Sequence, residues 1–364
     1  MARLSRAQTQ ANSRAKILAA ARDEFAERGF RDAKIDAIAE RAGFTRGAVY
    51  SNFPGKRALY FAVLANLSEN APMPPHAEPS LTAQEALGAI ARAWVARLPL
   101  ADIGERDGSG RLSMDLMPEV TAETRTRLPY TQLMRLNAVL LGLALERLEP
   151  RRGRMVRIAE TALTTLHGAT QMAAAAPGFV EPFNVVKACE QLAALDLADS
   201  WPTPPIIAPV KHVDEPWSPP STINSLRSEP ADLSSDGVVA VLGLHRLSAA
   251  EEVVRAARAH DKITVAVVTS DPAELTPLAR LAVADLWHCL RQAFPEPAWP
   301  SIQLVFDADA ELAAAAGVPA VSDVTEVAVR FTRGRIIARS EGYGACHSAT
   351  SVTVDQSART TGSI

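Results

Sequence analysis

The sequence predicts a chain of two structural classes, in which an all-helical N-terminal part precedes an α/β part with a mixed sheet. Apolar residues recur at helical spacing through most of residues 12–198. Beyond a proline-rich stretch, continuous apolar runs typical of strands buried on both faces alternate with helical segments. With 364 residues, 48% of them hydrophobic and 22% charged, the chain is long enough for two or three domains.

The most informative stretch is residues 35–53, which predicts two short helices joined by a tight turn. Four apolar residues fall on one face of the first helix, and Gly43 follows them where a helix end favours positive φ. Thr45 is a good N-cap for the second helix, because its hydroxyl can accept a hydrogen bond from a backbone N–H. The inward face of the second helix is marked by Val49, Tyr50 and Phe53. This pattern predicts a helix-turn-helix unit, although an ordinary helical hairpin with solvated charges remains an alternative.

The second helix of this unit is the predicted DNA-reading element. Arg46, Gly47 and Ala48 occupy its first turn, the part of a recognition helix that meets base edges in the major groove. Arg46 can bind O6 and N7 of guanine together, while the two small residues permit close approach. Lys56 opens the next helix, where its ammonium and the helix N-terminus both suit a phosphate.

Spaced apolar, aromatic and glycine positions over residues 14–64 form a pattern more specific than one short motif: Ile17, Ala21, Phe25, Gly29, Phe30, Ile38, Ala39, Ala42, Gly43, Tyr50, Phe53, Lys56 and Leu59. With this pattern the segment resembles the DNA-binding domain of the tetracycline-repressor (TetR) family. The resemblance implies a DNA-binding domain over residues 10–68 whose contacts with double-stranded DNA come from Lys34, Thr45, Arg46, Gly47, Ala48, Tyr50, Asn52 and Lys56. Lys34 departs from the family pattern of Ser or Thr; it loses a helix cap but can still contact a phosphate.

Charge is unevenly distributed along the chain. The formal net charge is −3 at pH 7, yet residues 1–70 hold 12 Lys and Arg against 7 Asp and Glu, a balance of +5 that leaves −8 for the remainder. The basic end therefore coincides with the predicted DNA-binding unit. Arg3, Arg6 and Arg14 could form a flexible arm along the DNA. A solvated disordered tail is the alternative for the first ten residues.

Cysteine usage and hydropathy predict a cytoplasmic protein without a membrane segment. The sequence has no run of 18 apolar residues and no apolar region of a secretory signal at its start. Cys189, Cys289 and Cys346 are widely spaced and form no CxxC motif, which fits reduced thiols rather than a disulfide framework or a zinc site. We expect no metal and no cofactor.

Residues 81–199 resemble, more loosely, the ligand-binding and dimerisation half of TetR regulators. After first and fourth helices at 12–28 and 56–68, the predicted helices are 81–98, about 110–117, 121–148, 153–176 and 182–198. In the family the last two helices pair across a two-fold axis, so the resemblance implies a homodimer with two DNA heads. An internal core face is the alternative for any single residue of these helices. A family chain would end near residue 199, so residues 1–199 are expected to dimerise and bind DNA alone.

The helices before the last two are predicted to enclose an apolar pocket for an unknown small-molecule effector. Its candidate walls are Trp94, Met114, Met117, Met134 and Leu141, and its candidate polar contacts are Asn137, His167 and Gln171. Methionines suit an adaptable pocket. Each of these residues is also of a type that commonly forms plain core.

The C-terminal third predicts a linker, an α/β domain and a tail. Residues 200–236 contain eight prolines and are predicted to be an extended linker. Within 237–348, strands at 238–244, 263–269 and 302–306 alternate with helices at 248–259 and 274–293, and a hairpin closes the domain. This order, with FDADAELAAAAGV at 306–318, resembles thioredoxin-like and peroxiredoxin-like folds. Residues 349–364 are predicted to be a disordered tail.

The chemistry of a thiol oxidoreductase is missing from this resemblance. Such an enzyme needs a thiolate at the start of the helix after the first strand, but residues 245–252, HRLSAAEE, contain no cysteine. Val324 and Thr325 stand where the family has a proline. Cys289 is predicted to be a buried small hydrophobe. Cys346, beside His347 in a glycine-rich segment, is either a spectator or an exposed reactive thiol.

The leading hypothesis is therefore a ligand-responsive, homodimeric transcription regulator, a repressor on a palindromic operator, with a catalytically inert thioredoxin-like module. It would not be an enzyme, and no catalytic residues are assigned. The second hypothesis is a redox-sensing regulator or thiol-dependent oxidoreductase that works through the C-terminal domain. The third is an interaction module that recruits another protein or reinforces the dimer.

Overall fold

The computed structural model describes residues 6–72, 80–98, 112–202 and 204–352. These residues fall into two compact units. The first contains the chain up to residue 201 together with residues 271–300, and the second contains residues 202–270 and the chain from 301 onward. Within the described ranges, every helix is too short or too polar to span a membrane.

The first unit is built from helices, as the sequence predicts. The head (residues 6–69) contains α1 (Arg6–Asp32), α2 (Ile35–Ala42), α3 (Arg46–Asn52) and α4 (Lys56–Glu69); α5 (Ala83–Val95), α6 (Leu116–Thr121), α7 (Thr124–Leu148), α8 (Val156–Ala175) and α9 (Pro182–Leu192) follow. The predicted helix at about 110–117 begins outside the described residues. Gly29, predicted to end the first helix, instead marks a kink in α1 with φ 73°.

The head has a core of its own, built on aromatic rings of α1 and α4. Phe25 and Tyr60 meet edge to face with ring centroids 5.4 Å apart, and Phe30 lies 5.0 Å from Tyr60. Ile38 of α2 and Phe53 after α3 are also fully buried. Burying one such side chain contributes roughly 1.5–3 kcal/mol. The shared core therefore orients α2 and α3 against α1 and α4.

The second unit contains a six-stranded mixed sheet, a separate sheet of two short strands (the second and third in chain order) and short helices, which confirms the predicted mixed sheet. In chain order its elements are β1 (Val210–Pro216), β2 (Ile223–Asn224), β3 (Glu229–Pro230), β4 (Gly237–Gly243), α10 (Ala250–Ala256) and β5 (Lys262–Val268); then, after α11 (Pro272–Ala293), β6 (Ile302–Phe306), α12 (Glu311–Ala315), β7 (Glu326–Thr332), β8 (Arg335–Glu341) and α13 (Ala345–Ser351). The strand order is β1-β8-β7-β4-β5-β6. β4, β5 and β6 are parallel, and the other neighbours are antiparallel.

Residues 200–236 differ from the predicted linker, because they contribute β1 to the sheet. β1 pairs antiparallel with β8, from Val210 opposite Ser340 to Pro216 opposite Arg335. It is an edge strand, where a proline without an N–H is tolerated. Most of its side chains are exposed, so it carries little of the apolar pattern that marks the inner strands. Backbone pairing, not side-chain burial, makes this segment a strand.

Helix α11 also differs from its expected place. The sequence assigns it to the α/β domain because it lies between two strands, whereas in the structure it belongs to the first unit. There it packs against α4, α5 and α7. The helices α5–α9 and α11 together are called the body below. Residues 1–199 therefore lack a helix of the body, which argues against the prediction that they dimerise and bind DNA alone and leaves that prediction to a truncation experiment.

Candidate nucleic-acid interface and ligand groove

Backbone geometry joins α2 to α3 in the predicted way. Gly43 ends α2 with φ 72° and ψ 32°, a left-handed conformation that a residue without Cβ adopts at little cost. The N–H of Phe44 donates to the carbonyl of Ala39 at 2.9 Å and closes the turn. Thr45 caps α3, since its Oγ1 accepts from the N–H of Ala48 at 3.2 Å. The predicted helix-turn-helix unit is therefore present.

The first turn of α3 faces solvent. Arg46 and Gly47 are exposed, and Ala48 is half-buried. The Arg46 guanidinium lies 5.5 Å from the ring centroid of Tyr50, and its Nη1 lies 3.4 Å from Oδ2 of Asp36. An ion pair between two exposed side chains contributes little. A base edge can therefore displace the carboxylate from Arg46.

Tyr50 departs from its predicted position on the inward face of α3, because its side chain is 39% exposed. Val49 and Phe53, one helical turn apart, take the buried face. Tyr50 is rotated by about 100° from Val49 around the helix, which turns its ring toward solvent. The ring lies instead beside Arg46 on the exposed face of α3.

Lys34 occupies the N-cap position of α2 without a side-chain cap, as the sequence predicts. Its backbone N–H donates to Oε1 of Glu24 at 3.3 Å, and Glu24 is only 1% exposed. Arg28 and Arg41 lie 3.2 and 3.5 Å from the same carboxylate. Glu24, which no sequence motif indicates, thus accepts a hydrogen bond from a backbone N–H at the start of α2. The side chain of Lys34 remains exposed for a phosphate.

Lys56, whose predicted contact with a phosphate stays a prediction, has partners within the head. Its Nζ donates to the carbonyl of Arg31 at 3.0 Å and lies 4.8 Å from the ring centroid of Phe30. Partial burial lowers the pKa of the Lys56 ammonium. These contacts tie the start of α4 to the end of α1, so Lys56 stabilises the head from within.

Asn52 and Arg14 are also engaged inside the head. The side-chain amide of Asn52 donates to the backbone carbonyl of Ala48 at 2.9 Å. The backbone carbonyl of Asn52 accepts a hydrogen bond from Arg14 at 2.8 Å. The Arg14 guanidinium lies 4.0 Å from the ring centroid of Phe53. Arg14 is therefore part of α1 rather than of a flexible arm. Of the other two arm residues, Arg6 begins α1 and Arg3 lies outside the described residues.

The model of bacterial regulatory proteins of the tetR family matches residues 17–63, which contain this helix-turn-helix unit. The head is a tetR-type DNA-binding domain. Curated relatives share the same segment. The HTH-type transcriptional regulator SrpR of Pseudomonas putida is 46% identical over 66 residues, 18% of this chain and 30% of that protein. The HTH-type transcriptional activator FasR of Mycolicibacterium smegmatis is 40% identical over 57 residues, 16% of this chain and 26% of that protein.

The chain thus spans about a quarter to a third of the length of these two curated relatives. Solved structures align over more of it. NalD, the secondary repressor of the MexAB-OprM multidrug efflux pump in Pseudomonas aeruginosa, covers 50% of this chain and 95% of its own, at 19% identity and TM-score 0.35. A TetR-like regulator from Rhodococcus sp. RHA1 covers 54% and 100%, at 22% identity and TM-score 0.32.

Behind the tetR-type head, α6, α7 and α8 form an open groove of about 600 Å³. Four predicted effector residues line it: Met117, Met134, His167 and Gln171. Tyr130 and Leu163 also line it and were not singled out from the sequence. Each stands one helical turn before a predicted residue, so helical spacing could have indicated both. Met114 is absent from the described lining of the groove.

Two other predicted effector residues, Trp94 and Asn137, lie outside the groove lining, in a second space that His167 also lines. Trp94, Asn137 and His167 line a small inner cavity of about 10 Å³ whose opposite wall is α11. The Asn137 amide donates to the carbonyl of Ala282 at 2.9 Å, and the Trp94 indole N–H donates to Oγ1 of Thr170 at 2.9 Å. Burial lowers the pKa of His167. Protein groups thus occupy the space predicted for a ligand beside Trp94 and Asn137.

The cysteines are buried, as predicted for Cys289 and against the alternative of an exposed Cys346. Burial raises the pKa of Cys189 and of Cys289 to about 11, and it raises the pKa of Cys346 as well. The described residues contain no group of three or more His, Cys, Asp or Glu side chains that could hold a metal ion.

Proposed function

We propose that the chain is a sequence-specific DNA-binding transcription regulator. The observation that carries this proposal is the exposed first turn of α3, with Arg46 at its start, in a tetR-type head. A recognition helix meets base edges through its first turn, and an arginine there can bind guanine through two N–H groups. Lys34 supports the proposal as an exposed contact for a backbone phosphate.

A homodimer on a palindromic operator is the form in which we expect it to act. Large apolar side chains near the ends of α8 and α9 support this: Met172, Phe179 and Phe183 are 41%, 71% and 63% exposed. Exposed apolar patches mark protein–protein interfaces. Two copies related by a two-fold axis would offer two heads to two half-sites about one helical turn apart.

A small molecule in the groove would make the regulator ligand-responsive. The groove volume of about 600 Å³ suits a drug-sized ligand, and its methionines suit apolar molecules of varied shape. Repression is the proposed mode, because a dimer bound across a promoter excludes other proteins from it. The second unit is proposed to be a non-catalytic, thioredoxin-like module. Its βαβ unit and closing hairpin support the fold, and its buried thiols argue against redox chemistry.

Footprinting of the purified chain on DNA upstream of its own coding region tests the proposal. We expect a protected palindrome that overlaps the promoter. Arg46→Ala should weaken binding to that site roughly ten- to hundredfold and relax discrimination at one base position per half-site. Arg22→Ala, which removes an exposed arginine of α1 paired with Asp23, is the matched control and should bind like the parent chain. Protection that survives Arg46→Ala unchanged would show that α3 is not the reading helix.

A further inference from the structure

Helix α11 is a core element of the body although the strands before and after it belong to the second unit. Of its 22 residues, 13 are buried, and they are distributed around the helix rather than along one stripe. A helix that is apolar on most sides is a buried helix. Any shift of α11 must therefore move the helices packed on it.

The first of these helices is α4, which connects the body to the reading helix. Hydrogen bonds between side chains join α11 to α4 at both ends of α4. In the first turn of α4, Arg57 bonds to Glu274 at 2.7 Å. In its last turn, Ser68 bonds to Asp285 at 2.7 Å and Glu69 to Arg280 at 2.6 Å. Three residues separate α3 from α4. The position of α11 therefore bears directly on the position of α3.

On another side, α11 faces the wall of the groove. Tyr130, Met134, Leu163 and His167 line the groove, and the same four side chains line the inner cavity against α11. Asp285 lines that cavity as well, while its carboxylate accepts the hydrogen bond from Ser68 of α4. Asp285 thus stands between the wall of the groove and α4.

We propose that α11 relays occupancy of the groove to the DNA-binding head, with Asp285 as the positioning residue of the relay. A molecule that fills the groove displaces the shared wall, the wall displaces Asp285, and α4 loses its fixed attachment. The cavity behind the wall holds only about 10 Å³, so the wall cannot move inward without moving α11. The effect of this relay on DNA affinity rests on the proposed function, whereas its effect on α4 does not.

The groove can be filled covalently in the full-length chain, so that the unidentified effector is not needed. Thr164 is exposed and lines the groove, and a Thr164→Cys variant can be labelled with monobromobimane while the native cysteines stay buried. Gln84→Cys, at an exposed position of α5 outside the groove lining and away from the proposed dimer patch, is the matched control. Mass spectrometry verifies one label per chain. Amide hydrogen exchange of residues 56–69 is measured without DNA, and affinity for the footprinted site is measured separately.

Labelling at position 164 should raise exchange in α4 by about fivefold or more, because α4 opens more often once its attachment to α11 is broken. Labelling at position 84 should not. Asp285→Ala should raise exchange in α4 without any label, and the label at 164 should then add nothing. Unchanged exchange in α4 after labelling at 164 would overturn the relay. If exchange rises but none of the variants binds DNA, the relay stands and the proposed function fails.

Discussion

The two lysines of the head illustrate how position in the fold decides what a charged residue does. Lys34 and Lys56 both stand at helix starts and both suit a phosphate by sequence. In the structure Lys56 is drawn over the Phe30 ring and donates to the carbonyl of Arg31, whereas the side chain of Lys34 is exposed. The partners of Lys56 lie some 25 positions earlier in the chain, so its local sequence contains no sign of them.

We therefore expect the two lysines to respond differently to salt. Lys34→Ala should reduce the slope of log affinity against log salt concentration by about one for each phosphate that the lysine neutralises. Lys56→Ala should leave that slope unchanged and lower the melting temperature of the head, because it removes a hydrogen bond and a cation–π interaction. Affinity measured over a series of KCl concentrations, with melting curves alongside, separates the two effects. Equal salt slopes for both variants would show that Lys56 contacts DNA as Lys34 does.

His167 makes the stability of the body depend on pH. Burial lowers its pKa in the folded chain, so the folded state takes up a proton at lower pH than the unfolded state does. The folded state therefore has its full stability above the unfolded pKa of His167, about 6.5, and loses stability as the pH falls toward the lower pKa of the folded state. We expect the melting temperature to fall as the pH is lowered from about 7.5 to about 5.5, and to fall less in His167→Gln. His260→Gln, at an exposed histidine, should behave like the parent chain.

At the scale of elements, residues 345–351 are more ordered than their composition indicates, and three of them belong to the predicted disordered tail 349–364, whose residues from 353 onward lie outside the described part of the chain. Residues 345–351 form α13, which begins after Gly344 at φ 80°, where a side chain would be strained. The sequence predicts a glycine-rich segment with a cysteine of uncertain exposure. The helix packs on β7 and α10, and this packing buries Cys346 completely. Glycines that indicate flexibility in sequence serve here as a turn into a packed helix.

Burial predicts unreactive thiols. At pH 8 a thiol with a pKa near 11 is on the order of 0.1% ionised, and buried sulfur is also unreachable. We expect 5,5′-dithiobis(2-nitrobenzoic acid) to modify the native chain slowly and to titrate Cys189, Cys289 and Cys346 rapidly in concentrated guanidinium chloride. Cys289→Ser and Cys346→Ser should leave DNA affinity unaltered with or without peroxide. Peroxide-dependent loss of binding that disappears in Cys346→Ser would favour the redox-sensor hypothesis.

At the scale of the whole molecule, the two units share one chain in an interleaved order. The segment 271–300 leaves the sheet after β5, supplies α11 to the body and returns to start β6. β5 and β6 are nevertheless paired neighbours in the sheet. The first unit thus depends on residues 271–300, which lie in the chain between two parts of the second unit.

Truncation should reveal this dependence. A chain ending at residue 201 lacks α11 and leaves its apolar partners in α4, α5 and α7 exposed. We expect this fragment to bind 8-anilinonaphthalene-1-sulfonate strongly, to melt without a cooperative transition and to lose DNA affinity. The full chain with Val324→Ala, at an exposed apolar residue of the second unit, is the control for the assay. A fragment that melts cooperatively like the full chain would show that α11 is dispensable.

The sequence by itself determined the elements whose signals are local. Gly43 and Thr45 define the turn and cap between α2 and α3 through their own backbone and hydroxyl, and unbroken apolar runs define β4 and β5. Tertiary structure alone decided the partners of α11, because an apolar helix indicates burial but not the surface that buries it. It also decided that β1 is a strand, because an edge strand forms through backbone hydrogen bonds and these require no particular pattern of side chains.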